Sequence, residues 1–171
     1  VTGQGTERHI QRLLCSVGTA LEELSKLGVR PEEAMQLARA RRMGGIPLSI
    51  FNPHLGALES IVKYMREELS LDYASIARIM HRNEGPIGVT YRRAKAKHDR
   101  TLSITSAEHI PFDLFSNQKL SVFENIAYYL AKQGHDWHDI AMILHRNDKT
   151  VWTVLDRAKR KMGERRGRWK R

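Results

Sequence analysis

Apolar residues near the amino terminus recur at alternating steps of four and three: Ile10, Leu14, Val17, Leu21 and Leu24. This is the seam of a coiled-coil helix, and Leu13, Ala20 and Leu27 widen it. The spacing predicts a helix from Glu7 to about Lys26, with residues 1 to 5 frayed. Gly28 ends it. Pro31, followed by Glu32 and Glu33 in a first turn where proline and negative charge both suit a helix, opens a second. That helix closes at Gly44-Gly45 after Arg39, Arg41 and Arg42, so residues 1–45 read as a helical hairpin. The leucine stripe has two readings of equal weight. It packs on the hairpin and the segment that follows, or it faces a second copy of the chain.

Beyond Gly44-Gly45 the pattern repeats. IPLSIF from Ile46 returns as IPFDLF from Ile110, a step of 64 residues. LGALESIVKYM from Leu55 answers LSVFENIAYYL from Leu120, and DYASIARIMHRN from Asp72 answers DWHDIAMILHRN from Asp136. Self-similarity at a step of 64, with one-residue offsets confined to the loops flanking the first helix, is present twice and points to a duplicated domain. In the first copy Ile46 to Phe51 reads as an extended arm, because the residue before proline avoids the helical region. A helix follows, Leu55 to about Glu67 in the first copy, then a short helix, a tight turn and a longer helix. The last three parts make a helix-turn-helix. Repeat 1 spans 46–98 and repeat 2 spans 110–162. The polar stretch HDRTLSITSAEH, 98 to 109, links them, and 163–171 is a basic tail. The fold class is therefore all-α.

In repeat 2, Asp136 is a good N-cap and Asn147 can cap the longer helix. His81 and His145 fall in the turns, where such motifs need a left-handed residue; histidine is among the non-glycine residues enriched there. The second helix of a helix-turn-helix enters the major groove with its first residues toward base edges. In repeat 2 those are Asp148, Lys149, Trp152 and Thr153. Lysine can donate to guanine, and threonine can touch a thymine methyl. Arg146, Arg157, Lys159 and Arg160 are placed for phosphates, which position a protein without reading sequence. Trp152 has two readings: burial against a neighbouring helix or subunit leads, and contact with the groove wall is second. Repeat 1 is poorer at the same places, with Glu84, Gly85, Gly88 and Val89, although Arg82, Arg92, Arg93 and Lys95 remain for phosphates. Pro86 is tolerable because it falls in the first turn.

Composition and charge sharpen this picture. The net charge is +10, yet residues 157 to 171 hold nine Lys/Arg against one Glu, leaving the rest of the chain near neutrality. Charge gathered on one helix end and tail is an electrostatic footprint for a polyanion. No apolar run is long enough to cross a bilayer and no signal-peptide pattern opens the chain, so no membrane partner and a cytoplasmic, nucleoid-associated location are expected. The single cysteine, Cys15, cannot form an internal disulfide. His135 and His138 lie near Asp136 and Asp139, but Asp136 is needed as a cap, so neither a metal nor a cofactor is expected. No P-loop, dinucleotide turn or nucleophile–histidine pair is present, and an enzyme is not expected.

The pattern Asp-aromatic-x-x-Ile-Ala-x-x-Leu/Met-His-Arg-Asn, then Thr-Val and Arg-Ala-Lys, resembles the promoter-reading carboxy-terminal domain of bacterial sigma factors, which is close to LuxR-type helix-turn-helix domains. The match covers Leu120–Met162 best, through Ile140-Ala141, Arg146-Asn147, Thr150-Val151 and Arg157-Ala158-Lys159. Leu55–Lys97 matches less well, because Gly85-Pro86 and Gly88 depart from the family's recognition helix. The resemblance implies DNA-binding units of three or four helices. It does not extend to polymerase-binding or promoter-melting regions. Double-stranded DNA is the expected partner, in transcriptional regulation or nucleoid organisation. A second copy of the chain, held through Ile10, Leu14, Val17, Leu21 and Leu24, is the other. The alternative is a protein-interaction module on the same fold, and RNA binding is a third reading.

Overall fold

The computed structural model describes residues 3–164, with side chains from residue 5 onward. Eight helices and one two-stranded sheet make up the described chain, so the all-α expectation holds. Helix α1, Gly3–Lys26, begins well ahead of Glu7; of the fraying expected over residues 1 to 5, residues 3 to 5 are helical instead and residues 1 and 2 lie outside the described residues. Helix α2, Pro31–Arg42, completes the hairpin, with Pro31 in its first turn and Glu32 and Glu33 beside it. Gly28, at a φ of +75°, turns the chain between them. Only Leu21 and Leu24 of the α1 stripe are half-covered; residues 5 to 20 are exposed throughout. The reading in which the stripe packs on the hairpin and repeat 1 therefore fails for Ile10, Leu14 and Val17.

Helix α2 docks on repeat 1 through polar side chains. Arg78 donates to the buried Glu33 at 2.7 Å, and Arg30 pairs with Asp72 at 3.0 Å. Repeat 1 consists of α3 (Ala57–Glu67), α4 (Tyr73–Ile79) and α5 (Glu84–Lys97). Repeat 2 has α6 (Val122–Lys132), α7 (Trp137–Ile143) and α8 (Asp148–Lys161) in the same order. In each, the third helix lies across the first two. The apolar face of α3 (Ile61, Val62, Met65) and that of α6 (Ile126, Ala127, Leu130) feed one continuous core, which runs from Ala40 to Leu155 through both repeats.

The arm expected over Ile46 to Phe51 is a strand for its first two residues only. Ile46–Pro47 forms β1 and His109–Ile110 forms β2. After Pro47 the chain tightens into a 3-10 turn at Leu48–Ile50, closed by Phe51 N–H donating to the Leu48 carbonyl at 3.3 Å. Burying Ile50 and Phe51 in the core requires that turn, and a straight arm would carry them past it. Strand β1 pairs antiparallel with β2, Ile46 opposite Ile110. These two residues hold the same place in the two repeats. A residue that faces its own equivalent marks an axis of two-fold pseudosymmetry. The contact between α3 and α6, again equivalents, lies on the same relation. The duplicated chain is thus packed like a dimer of halves.

Candidate nucleic-acid interface

Each repeat presents a short helix, a four-residue turn and a long helix, and the turns are built alike. His81 and His145 have φ of 50° and 49°. His145 N–H donates to Met142 O at 3.2 Å and Arg146 N–H to Ala141 O at 2.9 Å; His81 and Arg82 do the same to Arg78 and Ala77 at 3.2 and 2.9 Å. This is the Schellman ending of a helix, with histidine where glycine is usual. The expectation of left-handed histidines is met at both turns.

Helix starts differ between the copies. Asp136 accepts from His138 and Asp139 N–H, both at 2.8 Å, and Asn147 accepts from Lys149 N–H at 2.9 Å. Asn83 makes no side-chain cap, and α5 instead places Pro86 in its first turn, where an absent N–H removes no helical bond. Helix α8 buries Val151, Val154, Leu155 and Ala158. On the opposite side Lys149, Trp152, Thr153 and Arg157 are exposed at steps of three and four. Trp152 is 50% exposed, so no described helix of this chain buries it; the expected burial against a neighbouring helix fails among the described residues, and burial against a second subunit is a separate matter. Thr153 donates its hydroxyl proton back to the Lys149 carbonyl at 2.7 Å, which leaves its methyl and lone pairs outward.

The phosphate candidates divide into free and engaged side chains. Arg146 is engaged. Its guanidinium donates to the Leu55 carbonyl, to Asn52 O at 3.4 Å and to its own neighbour His145 O at 2.8 Å. Instead of facing outward for phosphate, it bolts the turn of repeat 2 onto the loop of repeat 1. Its pull comes from charge, since a guanidinium fork is well matched to convergent carbonyls. Arg160 pairs with Asp156 at 3.2 Å. Lys159 is half-buried and engaged; it adds to the Lys132 ammonium and Tyr128 hydroxyl that hold the Glu164 carboxyl below the ordinary range. Arg157 is exposed and has no ion pair among the described residues.

In repeat 1, Arg82, Arg92, Arg93 and Lys95 are all exposed. The front of α5 offers Glu84, Gly85 and Val89, while Gly88 is buried with the Tyr73 ring beside it. Of the basic tail, residues 165–171 lie outside the described residues.

One network escaped the sequence reading. Glu59, at the start of α3, pairs with Lys97 at the end of α5 (2.7 Å), and Glu124 of α6 pairs with Lys161 of α8 (2.7 Å). Glu124 also closes a capping box: its carboxylate accepts from Ser121 N–H at 2.7 Å and its own N–H donates to Ser121 Oγ at 3.2 Å. Burial pushes the Glu124 carboxyl up, but the Lys161 ammonium and the Ser121 N–H outweigh it and leave its pKa below the ordinary value. Glu59 is lowered the same way, against burial, by Lys97 and Gly56 N–H. The signal was available: a glutamate three residues into each first helix, and a lysine 64 residues apart at each last turn.

His138 Nδ1 lies 3.1 Å from Asp148 and His135 faces Glu108 at 3.9 Å. No group of three or more His, Cys, Asp or Glu able to hold a metal occurs among the described residues, nor is any described helix long and apolar enough to cross a membrane. No family model, curated protein or solved structure matches this chain.

Proposed function

We propose that the protein binds double-stranded DNA, as a transcriptional regulator or nucleoid organiser, with α8 as the helix of a helix-turn-helix that enters the major groove. The observation that carries this reading is the outer face of α8. Lys149, Trp152, Thr153 and Arg157 stand exposed on it, while the apolar residues behind them anchor the helix in the core. A rigidly backed helix with a cationic outer face is what groove insertion requires. The likeness of Leu120–Met162 to promoter-reading domains points the same way. In this proposal Lys149 and Thr153 read bases. Arg157, Arg160 and the basic tail hold phosphates on the repeat 2 side, and Arg82, Arg92, Arg93 and Lys95 do so on the repeat 1 side.

The test is a binding titration on a selected duplex and a scrambled one, at several salt concentrations. Lys149→Ala is expected to cost about 1–3 kcal/mol on the selected site and far less on the scrambled one, as a good base contact does. Arg157→Ala should weaken both alike and lower the slope of log affinity against log salt by about 0.9. Equal losses on both duplexes for Lys149→Ala would leave an architectural binder. Absence of duplex binding by the intact protein at low salt would overturn the proposal. It would favour instead a protein-interaction module, a reading supported by the exposed Trp152 and Met142, 50% and 67% accessible.

A further inference from the structure

The two repeats differ at one buried position beside the Arg146 clamp. Ser60 of the ESI run in α3 and Asn125 of the ENI run in α6 hold the same place, and both are buried. The Asn125 amide reaches back to the loop ahead of its own helix. Its Nδ2 donates to Asn117 O at 3.0 Å and to Leu120 O at 3.4 Å. The serine side chain is shorter, and its buried Oγ has no hydrogen-bond partner among the described residues. The carbonyls that Ser60 leaves unmet are those of Asn52 and Leu55, the equivalents of Asn117 and Leu120. They are the two that Arg146 crosses from repeat 2 to reach. Each pair of loop carbonyls thus has its own donor: an amide of the same repeat in one case, a guanidinium of the other repeat in the other.

By the pseudosymmetry, Arg82 stands to repeat 2 as Arg146 stands to repeat 1. It lies near the start of α6, lining a recess of about 410 Å³ together with Arg93, Gly56, Ser121 and Phe123. The carbonyls that correspond to the Arg146 clamp are Asn117 O and Leu120 O, and Asn125 already meets both. Most of what a buried carbonyl gains from donors comes with the first bond, because the large cost is that of leaving it unmade. A second donor would give up its water for little return. The Arg82 side chain accordingly stays exposed, as does Arg93 beside it. Glu59 shares the recess, but Lys97 at 2.7 Å and Gly56 N–H at 2.8 Å hold its carboxylate, so the two guanidinium groups leave a positive excess. We infer that Asn125 is a positioning residue: by occupying the carbonyls of Asn117 and Leu120 it withholds the clamp from Arg82 and keeps that guanidinium, with Arg93, for a phosphate of the bound duplex. The phosphate role rests on the DNA reading; the withheld clamp does not.

A double-substitution cycle followed by urea unfolding tests the withheld clamp without DNA. Serine is already buried at the equivalent place in repeat 1, so Asn125→Ser is the first variant and Asn125→Ala the second. In the wild type, Arg82→Ala should change the unfolding constant by less than about threefold. In the Asn125→Ser chain Arg82 can close on the freed carbonyls. There Arg82→Ala should raise the unfolding constant about tenfold or more, the scale of a hydrogen bond from a charged group. The same small effect of Arg82→Ala in the wild type and in both Asn125 variants would overturn the inference. The second arm uses a scrambled duplex at several salt concentrations. Asn125→Ser should flatten the slope of log affinity against log salt by about 0.9, the share of one phosphate contact, and adding Arg82→Ala should flatten it no further. An unchanged slope in a folded Asn125→Ser chain would overturn the phosphate role of Arg82. Absence of duplex binding by the wild type would overturn that role together with the DNA reading, and the urea cycle would still decide the clamp.

Discussion

Arg82 and Arg146 occupy the same place in the same tripeptide, yet their removal should have opposite consequences. Arg146 donates to three carbonyls, two of them on the far repeat at Leu55 and Asn52. Leu55 is 1% exposed, so its carbonyl has poor access to water as a substitute. A hydrogen bond from a charged group is worth about 1.5–3 kcal/mol, and leaving a buried acceptor unmade costs about 1–3 kcal/mol. The Asn52 bond is long and the His145 bond local, so the Leu55 contact carries most of the effect. Arg146→Ala should therefore destabilise the protein by about 2–4 kcal/mol, which at this chain length lowers the melting temperature by on the order of 10 °C. Arg146→Lys should fall between, because a compact ammonium keeps the charge but lacks the two separated guanidinium nitrogens that reach Asn52 and Leu55. The Arg82 side chain is exposed and has no hydrogen bond or ion pair with a described residue, so Arg82→Ala, which keeps the backbone bond to Ala77, should stay within about 0.5 kcal/mol of wild type. The assay is urea and thermal unfolding followed by circular dichroism, with the urea slope checked for constancy. Equal losses from the two substitutions, or a harmless Arg146→Ala, would refute the assignment of Arg146 as the clamp between repeats.

Two further outcomes follow from particular contacts. Gly45 has φ +124° and a Cβ there would lie 2.2 Å from the Ile110 carbonyl oxygen, so Gly45→Ala should cost about 2–5 kcal/mol through strain and displacement of β2. Gly44→Ala, at φ +80° in open space, should cost clearly less in the same urea titration, and parity between them would show that the strand contact is unimportant. Glu59 and Glu124 have folded pKa values below their ordinary 4.5, so each stabilises the fold fully above that range and loses its contribution as pH falls through the lowered value. Urea midpoints from about pH 6 to about pH 3 should decline, and Glu124→Gln should flatten the decline; an unchanged profile in that variant would contradict the role of the Lys161 pair.

The sequence contained the duplication, the hairpin, the helix order and even the left-handed histidines, because those follow from local periodicity and from turn chemistry. What it withheld was which surface meets which. Arg82 and Arg146 are indistinguishable by pattern; only the packing of repeat 2 on the loop after Phe51 engages one and leaves the other free. Trp152 shows the same limit from the other side. A large aromatic on a helix is usually covered, but whether anything covers it depends on elements far along the chain. The arm from Ile46 to Phe51 is only partly legible for a related reason. Ile-Pro sets an extended pair, but the turn at Leu48–Ile50 is imposed by the need to bury Ile50 and Phe51, which is a tertiary demand.

The pairing of Ile46 with Ile110 also gives the segment between the repeats a meaning beyond connection. Residues 98–108 contain no helix or strand, but they are tied down where Thr105 and Ser106 N–H donate to Ser49 Oγ at 3.0 and 3.2 Å and where Leu102 is buried. This tether fixes the concentration at which each half encounters its complement, in the millimolar range for a short linker. Below that range a half meets its own sister sooner than one from another molecule, so the chain closes on itself as it is made. A chain nicked within the tether would become a two-piece complex, held by the shared core and by Arg146, whose integrity depends on dilution.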